Sequence, residues 1–328
     1  MTPPCDMGLY SIVGRQQILH GRVLKELAKT VMILNILKST RPKQWLKNLM
    51  VFLPLVFSAN ESWSVDDMQT FLVLLLKSCV IFMAFVFASS AVYLFNDVLD
   101  KDKDIYHAEK KLRPIASGLI SVKGALSLSS LFAAISVLIC AFLVNITVIY
   151  IFTYLILMGI YSLSLRSIFV LDVLAISGGF VIRVLSGAVA IDVPVSIWLY
   201  ICMALGSMFI ALSKRYAEME TLNGKLFLTR DSLPRYNAVI LSRVTYIFLV
   251  GTIIAYSFYT VTADNLPSNN IMVVTIPFVI IGMLRYQFLV IKKDLGEKPE
   301  EVVTRDYFLA GSILVWLLLV LGVLIIFR

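Results

Sequence analysis

Long apolar runs separated by short polar stretches extend over most of this 328-residue chain. Each run holds about 17–25 mainly apolar residues, enough for one helical crossing of a hydrocarbon core about 30 Å thick. The pattern predicts an all-α, polytopic membrane protein with about nine transmembrane helices. The predicted spans are residues 45–60, 71–95, 123–142, 146–163, 169–190, 196–213, 238–261, 270–291 and 307–327. The first is short and contains Pro54, which interrupts a regular helix.

The chain divides into two parts by composition. Residues 1–40 form a basic leader, and residues 21–38 place apolar side chains three and four positions apart. This spacing predicts an amphipathic helix that lies in the membrane interface. Residues 41–328 form a single transmembrane domain, because no stretch between the spans is long enough for a soluble domain.

The placement of Lys and Arg predicts the orientation of the spans. The connections near residues 61–70, 143–146, 191–195 and 262–270 contain neither residue. Nearly all loop cations lie near residues 96–122, 214–237 and 292–306. Basic loops face the cytoplasm in the inner membrane, so we expect a cytoplasmic N-terminus and an external C-terminus.

The amino-acid composition narrows the class of protein further. Hydrophobic residues make up 59% of the chain, which excludes an ordinary soluble domain, and the net charge is +8. The four cysteines have no metal-binding or disulfide spacing. We expect the lipid bilayer as a partner and no nucleic acid, and the oligomeric state stays open, a homo-oligomer included.

The second span runs directly into a group of acidic residues. At about 100° per residue, Asp97, Asp100 and Asp104 fall on one helical edge, whereas Asp102 points away from it. Carboxylates arranged in this way repel one another unless a cation lies between them, and hard oxygen ligands suit Mg²⁺ shared with phosphate oxygens. Asn96 adds a neutral oxygen. The stretch predicts a metal-diphosphate site.

A basic group follows the acids within one loop, and it contains Lys110, Lys111 and Arg113. Acids that hold a metal and bases that hold phosphates make one site for a diphosphate substrate. Any membrane helix can end in charged residues, but here the acids share one face and continue an apolar run.

These residues resemble the first motif of the UbiA superfamily of intramembrane prenyltransferases. The match consists of Asn96, Asp97, Asp100 and Asp104, followed by a segment with Lys111, Arg113, Pro114, Ser117 and Gly118. The resemblance implies a UbiA-like bundle of about nine helices over residues 41–328. Most members have a second aspartate-rich motif after the sixth helix. Here that position reads SKRYAE from residue 213, with Lys214 and Arg215 in place of acids.

In having these cations in place of acids, the sequence resembles one branch of the superfamily, the decaprenyl-phosphate phosphoribosyltransferases. The resemblance rests on Tyr161, Arg166, Asp172, Arg183, Lys214 and Arg215. It implies 5-phosphoribosyl diphosphate as the donor, a polyprenyl phosphate as the acceptor, and a product that leads to lipid-linked arabinofuranose of the cell envelope. Arg166 stands where the branch leads us to expect Lys, which keeps the charge but changes its geometry.

Substrate charge supports the same interpretation. A phosphoribosyl donor carries a 5-phosphate besides its diphosphate, and a lipid phosphate adds another, so cations are needed beyond a metal site. Asp172 and Arg183 are eleven residues apart on one helical face, about 16 Å along the axis, and ionisable residues at such depth usually face a polar cavity. A structural ion pair is the alternative for both.

The predicted roles are as follows. We expect Mg²⁺ to be held by Asn96, Asp97, Asp100 and Asp104, and catalysis to depend on Asp97, Asp100, Asp104 and Asp172. Phosphate contacts are expected from Lys111, Arg113, Tyr161, Arg166, Arg183, Lys214 and Arg215.

Two other functions remain open. An ordinary UbiA-type prenyltransferase would move a prenyl group from prenyl diphosphate to an aromatic or lipid acceptor, and a second DxxxD motif between the sixth and seventh spans would favour it. A transporter or channel would place its charges near the membrane midplane in broken helices. The acids here cluster at the end of a span instead.

Overall fold

The computed structural model describes residues 26–27, 29–107, 109–168, 170–194, 196–221, 237–293 and 299–328. Eight long helices dominate these ranges, and the described residues form no β-sheet. The helices are α1 (Met68–Leu99), α2 (Val122–Leu143), α3 (Val148–Leu163), α4 (Leu171–Ala190), α5 (Ile197–Thr221), α6 (Ala238–Thr262), α7 (Ile276–Lys293) and α8 (Tyr307–Phe327).

All eight helices are long and apolar enough to cross a membrane, and they coincide with the second to ninth predicted spans. The all-α polytopic class is therefore confirmed. Polar residues just before four of the helices accept backbone N–H bonds from the first turn and so define where each helix begins. These caps are Asp67 before α1, Ser121 before α2, Asn237 before α6 and Asp306 before α8.

The first predicted span has a different form from the other eight. It consists of a 3-10 helix, Pro42–Phe52, followed by a short α-helix, Leu53–Phe57. Because a 3-10 helix rises about 2.0 Å per residue, the two pieces together are about 30 Å long despite having only 16 residues. The segment 42–57 therefore reaches across the bundle.

Contacts at its two ends show this crossing. Arg41, directly before the 3-10 helix, pairs with Asp97 near the end of α1. At the other end, the Asn60 side-chain amide donates to the carbonyls of Leu324 and Ile325, near the end of α8. Nine segments of the described chain thus run between the two ends of the bundle, eight of them as long α-helices.

Helix α4 lies at the centre, with a larger buried share than the other seven spans. Small residues allow close approach on this helix. A Cβ atom on Gly187 would lie 2.1 Å from the carbonyl oxygen of Val51, so glycine is required where α4 meets the segment 42–57. Apolar clusters on either side join α4 to α3 and α5.

The leader was predicted to form an interfacial helix over residues 21–38. Residues 1–25 lie outside the described part of the chain, whereas residues 29–39 are helical. Val31, Leu34 and Leu37 are more than two-fifths exposed on this helix. Ile36 packs instead against a small apolar cluster that contains Leu94. The division of the chain at residue 40 stays a prediction.

Candidate active site

The acidic residues lie at the end of α1 and in the short helix Lys101–Asp104 that follows it. Asp97 and Asp104 are buried and share one guanidinium nitrogen, Nη1 of Arg113, at 3.1 and 2.6 Å. Asp102 is exposed. The turn after α1 thus brings two carboxylates together, and the loop that follows returns a cation to them.

Asp100 has a separate partner. Arg166, in the 3-10 helix Leu165–Ser167 after α3, donates from Nη1 at 2.8 Å and from Nη2 at 2.7 Å to its two carboxylate oxygens. Paired contacts of this kind match the fork of a guanidinium, which a lysine ammonium cannot reproduce. The pair links the end of α3 to the end of α1.

A third arginine comes from the start of the segment 42–57. Arg41 donates to Asp97, and its guanidinium also lies over the Tyr93 ring, 4.9 Å from the ring centre. Its φ of 53° is left-handed, a conformation that non-glycine residues adopt at a cost. Asp97 is therefore bonded to arginines from two distant parts of the chain.

The loop after Asp104 decides which basic residues face the acids. Lys110 is half-buried and lies close enough to Asp104, Asp100 and Glu218 to interact with them electrostatically, whereas Lys111 is exposed. Burial and the nearby charge of Arg113 lower the pKa of Lys110 below its usual value. Lys110, rather than its neighbour, is the lysine that faces the site.

Helix α5 contributes an ion triad in which Arg215 and Asp172 are buried and Glu218 is partly exposed. Arg215 donates from Nε to Asp172 at 2.7 Å and from Nη1 to Glu218 at 2.6 Å, and the side chains of Arg215 and Asp172 are 1% and 0% exposed. Lys214 lies 3.9 Å from Glu218, and Tyr161 lies close enough to Arg215 to interact with it electrostatically. The triad is joined to the acid cluster through Lys110, which interacts with Glu218.

Arg183 lies apart from these groups, on the same helix as Asp172 but deeper in the bundle. It is 5% exposed and is bonded to Asn48, Tyr154 and the carbonyl of Gly179. The two ionisable residues of α4 therefore serve different networks, and Arg183 forms no pair with Asp172.

A magnesium ion needs several oxygen ligands within reach of one another. Among the described residues, no three acidic, His or Cys side chains form a group that could hold a metal ion alone. Asp97 and Asp104 nevertheless meet at one nitrogen, and the buried Oδ1 of Asn96 has no hydrogen-bond partner in the described part of the chain. Mg²⁺ commonly uses one or two carboxylates and takes its remaining ligands from phosphate and water. These residues fit such an ion.

Comparison with known proteins identifies the family. The model of the UbiA prenyltransferase family matches residues 69–310. The chain belongs to this family. The match covers α1 to the first turn of α8, so the acid cluster and the ion triad both fall within the UbiA region. As a member of the family, the chain is a multi-pass membrane transferase.

Curated UbiA relatives point to one branch. The decaprenyl-phosphate phosphoribosyltransferase of Mycolicibacterium smegmatis is 31% identical over 87% of this chain and 91% of that protein. The protein of the same name from Corynebacterium glutamicum is 32% identical over 85% of this chain and 83% of its own length. The resemblance based on the motifs is confirmed.

Solved UbiA structures share the fold. A UbiA homologue from Archaeoglobus fulgidus bound to GPP and Mg²⁺ has a TM-score of 0.67 at 18% identity, and the match covers 88% of this chain and 99% of that one. The same homologue bound to DMAPP and Mg²⁺ also gives 0.67. The UbiA-like bundle is therefore confirmed, and relatives with this fold bind Mg²⁺.

Sequence reasoning missed several residues that the fold brings to these networks, among them Tyr154 and Glu218. Arg41 lies just before the first span and Asn48 lies within it, where they resemble ordinary flanking and interior polar residues. Their partners Asp97 and Arg183 are 56 and 135 residues away. Lys110 was noted with its neighbours but not assigned a role, because periodicity does not extend through a loop.

Proposed function

We propose that this protein transfers the 5-phosphoribosyl group of 5-phosphoribosyl diphosphate to a polyprenyl phosphate and releases diphosphate. The observation that carries the proposal is the charge around the acid cluster. Asp97, Asp100 and Asp104 are accompanied by three arginines and by Lys110. A site for one prenyl diphosphate and a neutral acceptor needs few cations besides its metal. Phosphates on both substrates require more.

Asp97 and Asp104, with the Asn96 amide oxygen, are the residues that would hold Mg²⁺, and Asp100 would assist. The ion would neutralise the diphosphate and improve it as a leaving group. Arg113 now bridges the two carboxylates and is 25% exposed on its side chain. Its guanidinium can therefore bind a diphosphate oxygen that arrives from the open side.

Arg166 and Lys110 face the same space from other elements, and we propose that they bind the remaining phosphate oxygens. Lys111, Tyr161 and Lys214 remain predicted phosphate contacts. Arg215 is bound by two carboxylates, so its contribution is to fix Asp172 and Glu218 beside the site. Asp172 would act through this triad, as a positioning residue.

The reaction exchanges one bond at the anomeric carbon for another. The bond between ribose C1 and the diphosphate oxygen breaks, the ribose acquires oxocarbenium character, and an oxygen of the lipid phosphate forms the new bond from the opposite face. The configuration at C1 inverts. The second pKa of a phosphate monoester is about 6, so the nucleophile is already anionic at neutral pH and needs no strong base. Positioning and charge neutralisation then supply most of the rate enhancement.

The orientation follows from the basic loops. Contacts such as Arg166 with Asp100 and Lys43 with Glu301 gather these loops at one end of the bundle. We propose that this end faces the cytoplasm, where a soluble phosphoribosyl donor is available, and that the protein lies in the inner membrane. The product would serve as a precursor of lipid-linked arabinofuranose for the cell envelope.

A donor competition experiment tests the proposal. Purified protein receives Mg²⁺, polyprenyl phosphate, 4-hydroxybenzoate, phosphoribosyl diphosphate labelled in its 5-phosphate and geranyl diphosphate labelled in its prenyl carbons. We expect the 5-phosphate label to enter the lipid phase with polyprenyl phosphate, and no prenyl label to enter the aromatic product. Prenyl transfer without phosphoribosyl transfer would replace the proposal with the ordinary prenyltransferase function.

A further inference from the structure

Arg183 is a buried cation whose bonds are all to neutral groups. Nε donates to the Oδ1 atom of Asn48 at 2.8 Å, Nη1 to the Gly179 carbonyl at 2.8 Å and Nη2 to the Tyr154 hydroxyl at 2.9 Å. The rings of Tyr154, Phe180 and Phe85 lie 4.7–5.6 Å from its guanidinium carbon. No carboxylate among the described residues pairs with it.

The positive charge of Arg183 is not neutralised by these groups, and some of its N–H groups could bind a ligand. A guanidinium has five N–H groups, and that of Arg183 makes three hydrogen bonds to the described residues. Arginine in a membrane-spanning helix is costly and usually faces a polar cavity or an anion. Aromatic faces offset part of that cost but do not neutralise the charge.

The depth of Arg183 separates it from the acid cluster. Its side chain points back along α4 to the Gly179 carbonyl, which lies seven residues after Asp172 and therefore about 10 Å further along the helix axis. Arg183 therefore lies deeper in the bundle than Asp172, which pairs with Arg215.

A row of polar residues leads inward along the 3-10 helix of the segment 42–57. Side chains three apart eclipse one another in a 3-10 helix, so Gln44 and Lys47 share one face, and Lys47 donates to the Gln44 side-chain oxygen. Arg41 binds Asp97 at the outer end, and Lys47 lies close enough to Tyr154 to interact with it electrostatically at the inner end. Arg183 thus donates to the Tyr154 hydroxyl, and Lys47 lies within electrostatic range of the same residue.

A second connection follows the aromatic residues. Arg41 lies over the Tyr93 ring, and Tyr93 interacts electrostatically with Tyr154. The next residue of the 3-10 helix after Lys47, Asn48, is fully buried and joins Arg183 to the Ser89 hydroxyl. Asn48 therefore ties the 3-10 helix that follows Arg41 directly to Arg183.

We propose that Lys47 and Arg183, with Tyr154 and Asn48 beside them, form a second phosphate subsite that binds a phosphate monoester while the acid cluster binds the diphosphate. Two substrate groups have this chemistry, the 5-phosphate of the donor and the phosphate of the acceptor lipid. The subsite deepens the proposed function and rests on it for the identity of the substrates. Lysine and arginine are the usual ligands of such a group.

Direct binding to wild-type and Lys47→Gln protein tests the subsite without turnover. The probes are ribose 5-phosphate, with ribose as its control, and geranyl phosphate, with geraniol as its control. We expect Lys47→Gln to weaken one phosphate about tenfold or more, and both neutral probes to bind alike in the two proteins. The weakened phosphate identifies the source.

Two further variants make the test specific. Lys43→Gln removes a lysine of the same helix that is 75% exposed on its side chain and pairs with Glu301, so it should leave both phosphates unchanged. Arg183→Lys keeps the charge and loses the fork, and it should weaken the same phosphate as Lys47→Gln. Unchanged phosphate affinities in correctly folded Lys47→Gln and Arg183→Lys proteins would overturn the subsite.

The outcomes separate this inference from the proposed function. A protein that transfers the phosphoribosyl group with the same KM values in wild type and Lys47→Gln would overturn the subsite and leave the function. A protein that binds a phosphate through Lys47 but transfers only prenyl groups would leave the subsite and overturn the function.

Discussion

Arg166, beside the end of α1, and Arg215, on α5, pair with carboxylates in different surroundings. The side chains of Arg166 and Asp100 are 23% and 25% exposed, whereas those of Arg215 and Asp172 are 1% and 0% exposed. A partly hydrated ion pair contributes little to stability and can exchange its partners. A sealed pair is held together, because removing one partner leaves a buried charge. The end of α1 therefore suits exchange with substrate, and the end of α5 suits support.

The largest expected effect is at the sealed end. Arg215→Met should cost about 3–5 kcal/mol of stability, since Asp172 would remain buried without its cation. Lys214→Met is the matched control on the next residue, whose side chain is 35% exposed, and it should change stability little. Thermal unfolding in detergent measures both. An Arg215 variant with an unchanged unfolding temperature and a raised KM would assign this arginine to substrate instead.

A second prediction concerns the contact between α4 and the segment 42–57, which directly follows Arg41. Gly187→Ala would place a methyl group against the Val51 carbonyl and should cost about 1–3 kcal/mol. Gly159→Ala on α3 meets no atom within 4 Å and should be neutral or stabilising. Unfolding temperatures of the two variants provide the comparison. Equal values would show that the close approach at Gly187 has no energetic consequence.

Stability and activity should separate at the open end. Arg166→Gln removes both contacts to Asp100 and should raise the KM for phosphoribosyl diphosphate about tenfold or more, with little change in unfolding temperature. Arg166→Lys should have a smaller effect, because the charge remains while the fork is lost. Steady-state kinetics with monodisperse protein distinguish these outcomes. A large loss of stability with unchanged KM would make Arg166 a structural residue like Arg215.

The smallest predicted effect is a shift in pH dependence. Burial and Arg113 lower the pKa of Lys110, so this lysine loses its proton at a lower pH than an ordinary lysine does. Phosphate binding needs the protonated form, and kcat/KM for the donor should therefore fall as pH rises through that lowered pKa. Lys110→Arg keeps its charge and should move the alkaline fall to higher pH. An identical profile in both proteins would exclude Lys110 from donor binding.

Most of the fold was predictable because its main signal is local. An apolar run of 17–25 residues specifies a spanning helix by its own length, and α1 to α8 were predicted on that basis alone. The position of the first span was predicted, but its 3-10 conformation was not. Eleven residues of 3-10 helix are unusual, and no local feature besides Pro42 and Pro54 distinguishes them from a short α-helix.

The candidate site was less predictable, because its contacts join distant parts of the chain. The Asp97, Asp100 and Asp104 spacing indicated the acid cluster, yet the partner of each acid depends on how α1, α3 and the segment 42–57 pack. Arg215 shows most clearly that local sequence does not reveal such contacts. Its position suggested a phosphate ligand, but helix packing brings Asp172 to it from 43 residues away.

The mass of the lipid product tests the central claim most directly. Wild-type, Asp104→Asn and Asp102→Asn proteins are incubated with Mg²⁺, phosphoribosyl diphosphate and polyprenyl phosphate, and the extracted lipid is analysed by mass spectrometry. We expect wild type and Asp102→Asn to add one phosphoribosyl group to the lipid, because Asp102 is exposed, and Asp104→Asn to add none. A lipid of unchanged mass with folded wild-type protein, or full conversion by Asp104→Asn, would contradict the account.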